Sequence, residues 1–315
     1  MVVACTPESL EPTWPEAFGY LAPEVHGIEI GARGFPYIPV EIDGKRLELL
    51  LDTGNMVGIS LSSASFDRLG LSADRSYERL SSAGKPSGRL RVAEAVDAVV
   101  LGHDLGPVPV YELDDSTLPG LVGPDSLPVG HFTLDYASRK MGSSQRRLPD
   151  AAPGFRRLDL QRSSRHPRLV LVRGEVEGRE VLIELDTGKS RTVIHPELAS
   201  RLGLARNRHG VVIESLRLGD LELAVKSAKE VDQTGIETGL PEPILLGLGS
   251  DVLSRFVWTV DYDGGALWIP VSAHYLSRAR SHALQPPSIS SRPWPRAISQ
   301  VPAVSFVSAG RPSSS

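Results

Sequence analysis

The chain has 315 residues, 41% hydrophobic and 23% charged, with a net charge of −4. That is ordinary for a soluble globular protein with core enough for one large domain or two of average size. The near-balanced charge gives no reason to propose a nucleic-acid or acidic-substrate surface, so no nucleic-acid partner is expected; no apolar run reaches the length of a membrane span, and the single Cys5 excludes an intrachain disulfide.

Residues 1–34, rich in Pro and Glu with little periodicity, read as an extended lead-in. Within them Val2-Val3-Ala4-Cys5 has the form of the box that precedes a lipidated cysteine, without the basic and apolar regions of an export signal ahead of it. Chance is the simpler reading, and a lipid anchor at Cys5 the other. No compartment is assigned: lipidation would favour the cell envelope or periplasm, its lack the cytoplasm.

From Tyr37 the pattern turns strand-like. Tyr37-Ile38-Pro39-Val40-Glu41-Ile42 and residues 46–51 flank Asp43-Gly44, a strong hairpin signal. The second run ends on Asp52-Thr53-Gly54, and further apolar residues (Met56, Val57, Ile59) follow. This predicts two buried strands joined by a turn that sets a carboxylate at the edge of a hydrophobic wall. Residues 62–71 predict a short helix stopped by Gly70. Residues 96–101 and 108–113 read as strands around a Gly-His-Asp-Leu-Gly turn. Leu121-Val122-Gly123-Pro124-Asp125-Ser126-Leu127 and Phe132-Thr133-Leu134-Asp135-Tyr136 complete the half.

Residues 138–168, with three prolines and many arginines, read as a linker or connecting strand. Then the first half repeats. Gly178 follows Gly44, and Asp186 follows Asp52, by the same 134 residues (178 − 44; 186 − 52). Gly249-Ser250-Asp251-Val252-Leu253 and Thr259-Val260-Asp261-Tyr262 match their counterparts at 126 (249 − 123; 261 − 135). His195-Pro196 opens the second short helix, and the scattered histidines lack metal-ligand spacing. So many ordered landmarks imply two similar lobes, over residues 35–137 and 169–271. Residues 272–315, crowded with Ser, Pro and Arg, read as a disordered tail.

An apolar-apolar-Asp-Thr-Gly in each half, followed by an apolar–Gly partner with Asp-x-Leu, resembles the pepsin-like and retropepsin-like aspartic proteases. Each half is similar to a retropepsin in size, and the two-in-one arrangement to pepsin. The resemblance implies an all-β, bilobal fold of two similar β-barrels around a central cleft. It implies an aspartic endopeptidase acting on peptide or protein substrates, a single chain sufficing, with no metal or organic cofactor. Asp52 and Asp186 would be the catalytic pair. Thr53 and Thr187 would bond across the lobes, Gly54 and Gly188 would allow close backbone approach, and Gly123 and Gly249 would lie beneath the loops; Leu245-Leu246-Gly247 also fits the partner motif, but the common offset favours Gly249. Between matching landmarks the first half has 30 positions (101 − 71) and the second 14 (218 − 204). The surplus, containing Gly84 and Gly88, reads as a substrate flap, with Tyr77 as its aromatic residue or an ordinary strand tyrosine.

The residue after Asp-Thr-Gly is usually small in the family; here it is Asn55 in one half and Lys189 in the other. Asn55 can still donate a hydrogen bond. Lys189 either alters a neighbouring carboxylate by its charge or faces solvent. A protease-like chain that only binds peptide is therefore the alternative. Duplicated Asp-x-Gly turns also occur in actin-like and sugar-kinase ATPases, a remoter alternative that demands long helices packed on each sheet.

Overall fold

The computed structural model describes residues 24–81, 86–113, 118–144, 155–236, 238–271 and 304–305. The first lobe comprises β1 (Glu24–Gly27), β2 (Glu29–Ile30), β3 (Pro36–Ile42), β4 (Lys45–Leu51), β5 (Ile59–Ser62), α1 (Ser63–Leu69), β6 (Arg75–Ser81), β7 (Pro86–Val100), β8 (His103–Leu113) and β9 (Gly120–Val122). Next come β10 (His131–Asp135), β11 (Lys140–Ser144) and β12 (Phe155–Asp159). The second lobe comprises β13 (Leu171–Val176), β14 (Arg179–Leu185), β15 (Val193–Ile194), α2 (Pro196–Arg201), β16 (Arg206–Asn207), β17 (Gly210–Leu218), β18 (Leu221–Glu230), β19 (Leu246–Leu248), α3 (Ser250–Leu253), β20 (Trp258–Asp261) and β21 (Ala266–Pro270).

Each lobe closes on itself. The ladder β3-β4-β9-β5-β8-β7 returns to β3, and β13-β14-β19-β15-β18-β17 returns to β13, giving two six-stranded barrels with the same connectivity. The hairpins that start them are set by local chemistry. Asp43-Gly44 and Glu177-Gly178 both carry positive φ at both positions (46° and 72°; 47° and 76°), the two-residue turn whose twist matches the flanking strands. Alternation on β3 sends Ile38, Val40 and Ile42 into the barrel. On β4 both faces are covered: Leu49 and Leu51 enter the core, while Leu50 packs outside with Phe35, Leu90, Leu113 and Leu121. Continuous burial follows, and the sequence shows it as an unbroken apolar run.

The helices form where their caps place them. Ser62 accepts a hydrogen bond from the Ser65 N–H at 3.2 Å and Gly70 ends α1 at φ 77°. His195 caps α2, with Pro196 in its first turn. The longest of these helices has seven residues, far short of the helical layers that the ATPase reading requires, and that reading is set aside.

A third, six-stranded sheet, β1-β11-β10-β20-β21-β12, joins the lobes. At its centre β10 pairs antiparallel with β20, and Thr133 faces its own duplicate Thr259, their hydroxyls 2.7 Å apart. The local two-fold axis of the duplication therefore passes between these threonines. Phe132 packs edge-on against Trp258 across the seam, ring centroids 5.8 Å apart.

Several segments differ from the sequence expectations. Residues 24–27 and 29–30 are strands rather than lead-in: β1 pairs with β11, a partner too distant for short-range periodicity to reveal, and β2, only two residues long, pairs with the nearby β3. Residues 138–168 contain β11 and β12, which tie the two lobes into the shared sheet. The turn expected at Gly-His-Asp-Leu-Gly is the two-residue Leu101-Gly102, and β8 begins directly after it. The strands before and after Asp52 are not neighbours, because β9 lies between β4 and β5. Of the tail, only residues 304–305 are described; they form β22 (Val304–Ser305) on the free edge of β6. The readings on Cys5 and on the rest of 272–315 lie outside the described residues.

Candidate active site

The insertion of β9 between β4 and β5 forces the loop that begins at Asp52 to arch over a strand, and β19 does the same between β14 and β15 in the second lobe. The arch is pinned at its start: the Asp52 N–H donates to Val122 O and the Asp186 N–H to Leu248 O, each at 2.9 Å. Gly123 and Gly249 directly follow those carbonyl residues. A Cβ on Gly123 would lie 2.7 Å from Asn55 O, and one on Gly249 2.8 Å from Lys189 O. Each glycine is thus the floor of one arch, where a side chain has no space. Gly247, the competing match, sits one residue pair earlier, near Val193, Gln233 and Glu184.

Two threonines clasp the arches together. The Thr53 N–H donates to Thr187 Oγ1 and the Thr187 N–H to Thr53 Oγ1, both at 3.0 Å. Thr53 Oγ1 in turn donates to Leu185 O at 2.7 Å, and Thr187 Oγ1 donates to Leu51 O. Both threonines are fully buried, so these four bonds exchange no partner with water. The clasp brings the acidic side chains face to face: Asp52 and Asp186 share a hydrogen bond. Each carboxyl also accepts a backbone N–H from its own loop, Gly54 to Asp52 at 3.0 Å and Gly188 to Asp186 at 2.8 Å. Gly54 lies against the Asp186 carboxyl and Gly188 against that of Asp52, so each glycine opens space for the opposite acid.

Burial, then the Asp186 charge, push the Asp52 carboxyl well above the usual carboxylate range; Lys189 and the Gly54 N–H work against them. Two acids this close hold one proton between them far more readily than none.

Residues 38–125 match a protein-family model described as aspartyl protease. They resemble an aspartyl protease lobe. The match spans the first arch, Asp52 through Gly123, and the second lobe repeats the same barrel and the same arch. No curated protein matches the sequence. The match supports an aspartic-protease-like function and, with it, a peptide as the thing bound.

Around the two arches the remaining candidates fall as follows. Asn55 is buried but keeps its amide within its own loop, accepting from the Val57 N–H at 3.2 Å and donating to Gly58 O at 3.4 Å. Residues 75–81 and 86 onward form a hairpin, β6–β7, whose counterpart in the second lobe pairs only Arg206–Asn207 with residues 210–211. Gly88 stands on β7 opposite Arg79; Gly84 lies outside the described residues. Tyr77 packs with the outer cluster around Leu50.

Lys189 does not face solvent. Its side chain is 10% exposed, and its ammonium donates to Asp186 Oδ2 and, at 2.6 Å, to Glu184 Oε2. Glu184, 1% exposed, also accepts from Gln233 Nε2 at 3.0 Å. Sequence reading missed Glu184 and Gln233. One signal was available: the duplication aligns Glu184 with Leu50, so an acid interrupts the second lobe where the first has an unbroken apolar run.

Proposed function

We propose that the chain is an aspartic endopeptidase that hydrolyses peptide bonds in the cleft between its lobes. One observation carries the reading: two Asp-Thr-Gly arches from one chain, clasped by reciprocal threonine bonds, present two carboxyls in hydrogen-bond contact. A water between them loses a proton to the ionised carboxylate as its oxygen bonds the peptide carbonyl carbon. The protonated acid gives its proton to the carbonyl oxygen. The resulting diol collapses: the C–N bond breaks, the nitrogen takes a proton from the acid that had gained one, and a diol hydroxyl returns a proton to the other. The dyad ends as it began. The hydrogen bonds from Gly54 and Gly188 hold each carboxyl in place, so little reorganisation accompanies the step. The β6–β7 hairpin serves as the flap that covers the substrate.

A second reading, peptide binding with weak or no hydrolysis, is favoured by the Lys189 ion pair, because the ammonium occupies an oxygen of Asp186. Digestion of a peptide library separates the two. Hydrolysis yields internal cuts with new termini, fastest in the acid range where the dyad holds one proton; peptides retained on the protein yet recovered intact would establish the binding reading instead.

A further inference from the structure

The site is two-fold symmetric in its arches, glycines and threonines, but not in its charges. Where the first lobe has Leu50 and Asn55, the second has Glu184 and Lys189, at the same 134-residue offset (184 − 50; 189 − 55). The apolar pocket that receives Leu50 becomes, in the other lobe, a pocket holding an acid, a base and an amide. Buried charge of this kind is costly unless it is paired, and here both charged members are: Glu184 accepts from both Lys189 and Gln233, and Lys189 bridges Glu184 to Asp186.

Accepting the protease reading above, we propose that Lys189, seated by Glu184 and Gln233, is a positioning residue that holds the dyad's negative charge on Asp186, making Asp186 the base and Asp52 the acid. The argument is geometric. Lys189 touches one oxygen of Asp186 and hydrogen-bonds no atom of Asp52, whose carboxyl bonds to the Gly54 N–H and to Asp186. Coulomb energy falls with distance, so an ammonium in contact with one partner favours the microstate with the charge there. The proton goes to Asp52, in line with the direction in which burial and Asp186 move it. Burial alone would lower the Lys189 ammonium, but Asp186 and Glu184 outweigh it and hold it above its ordinary value. It therefore stays charged throughout the range in which the dyad titrates. Burial raises Glu184, with Lys189 opposing. The Tyr136 hydroxyl also lies within reach of the Asp186 charge and is neutral, because burial raises it far beyond its usual range.

The role is asymmetric and so has an asymmetric signature. The acid limb of the kcat/KM profile reports protonation of the base. Removing the ammonium in Lys189→Met moves that limb upward by about one to three pH units. Lys189→Arg, which keeps the charge, leaves the limb near its wild-type position. The double variant Lys189→Met with Glu184→Gln removes the stranded acid too and shows a smaller upward move, because loss of the Glu184 charge offsets part of it; an upward move in both variants separates charge from misfolding. A limb that stays put in both charge-removed variants, or moves as far in Lys189→Arg, overturns the proposal. A titration followed through ¹³C-labelled aspartate carboxyls needs no turnover. At mid-acid pH the neutral carboxyl should be the one whose signal disappears in Asp52→Asn; its disappearance in Asp186→Asn instead overturns the proposal even if peptides are cleaved. A wild type that cleaves nothing defeats the protease reading, and the carboxyl titration still judges the placement of charge.

Discussion

Asp52→Asn and Asp186→Asn each reduce peptide hydrolysis by at least about 10²–10⁴-fold, the range expected when a general acid or base is removed. The two losses do not multiply in the double variant, because the acids act as one unit. An amide is close in size and shape to a carboxylic acid, so either change leaves the arch largely in place. At Asp186 the amide also leaves Lys189 facing Glu184 alone, and at Asp52 it removes a half-buried neutral acid with no cation of its own in contact. Asp186→Asn therefore costs more stability than Asp52→Asn as well as abolishing turnover. Steady-state kinetics beside denaturant unfolding checks both halves of the statement. Equal activity in either variant and wild type would remove the acid–base assignment.

Gly188→Ala is expected to abolish activity while sparing the fold. A Cβ there would overlap the Asp52 carboxyl at Cγ and at both oxygens. The obstructing atoms are a side-chain tip rather than backbone, so the cost is relieved by swinging Asp52 aside, about 1–3 kcal/mol as for other overpacked positions. That swing breaks the bond from the Gly54 N–H and the contact with Asp186. A displacement on the order of 1 Å at a reacting group costs about 10²-fold in rate. Gly54→Ala acts likewise through Asp186. The readout is kcat/KM against the unfolding midpoint: a folded, inactive protein fits, and an alanine variant with wild-type turnover would show that the glycine does not guard the opposite acid.

The barrels were legible in the sequence because their cues are local and doubled. Asp43-Gly44 and Glu177-Gly178 set two hairpins, the unbroken leucines of β4 marked a strand covered on both faces, and a constant offset tied the two halves together. What stayed hidden depends on partners far away in the chain. Nothing near Glu24–Gly27 announces a strand, since its hydrogen bonds go to residues 140–143. The separation of β4 from β5 by β9 is likewise a property of the closed barrel, which an apolar pattern does not encode. At the site, the acids and their glycines sit in a recognisable tripeptide. Glu184 and Gln233 have no motif: Glu184 takes its meaning from its bond to Lys189, and Gln233 from a bond to Glu184 that forms only when β14 and the segment after β18 come together.

The most direct measurement of the central claim is a stoichiometric titration of peptide cleavage with a statine-containing inhibitor, whose hydroxyl takes the place of the water between the two acids. One inhibitor per chain should extinguish activity, because both acids and the threonine clasp between them come from a single chain. An end point at one inhibitor per two chains, or cleavage that persists at saturating inhibitor, would contradict it.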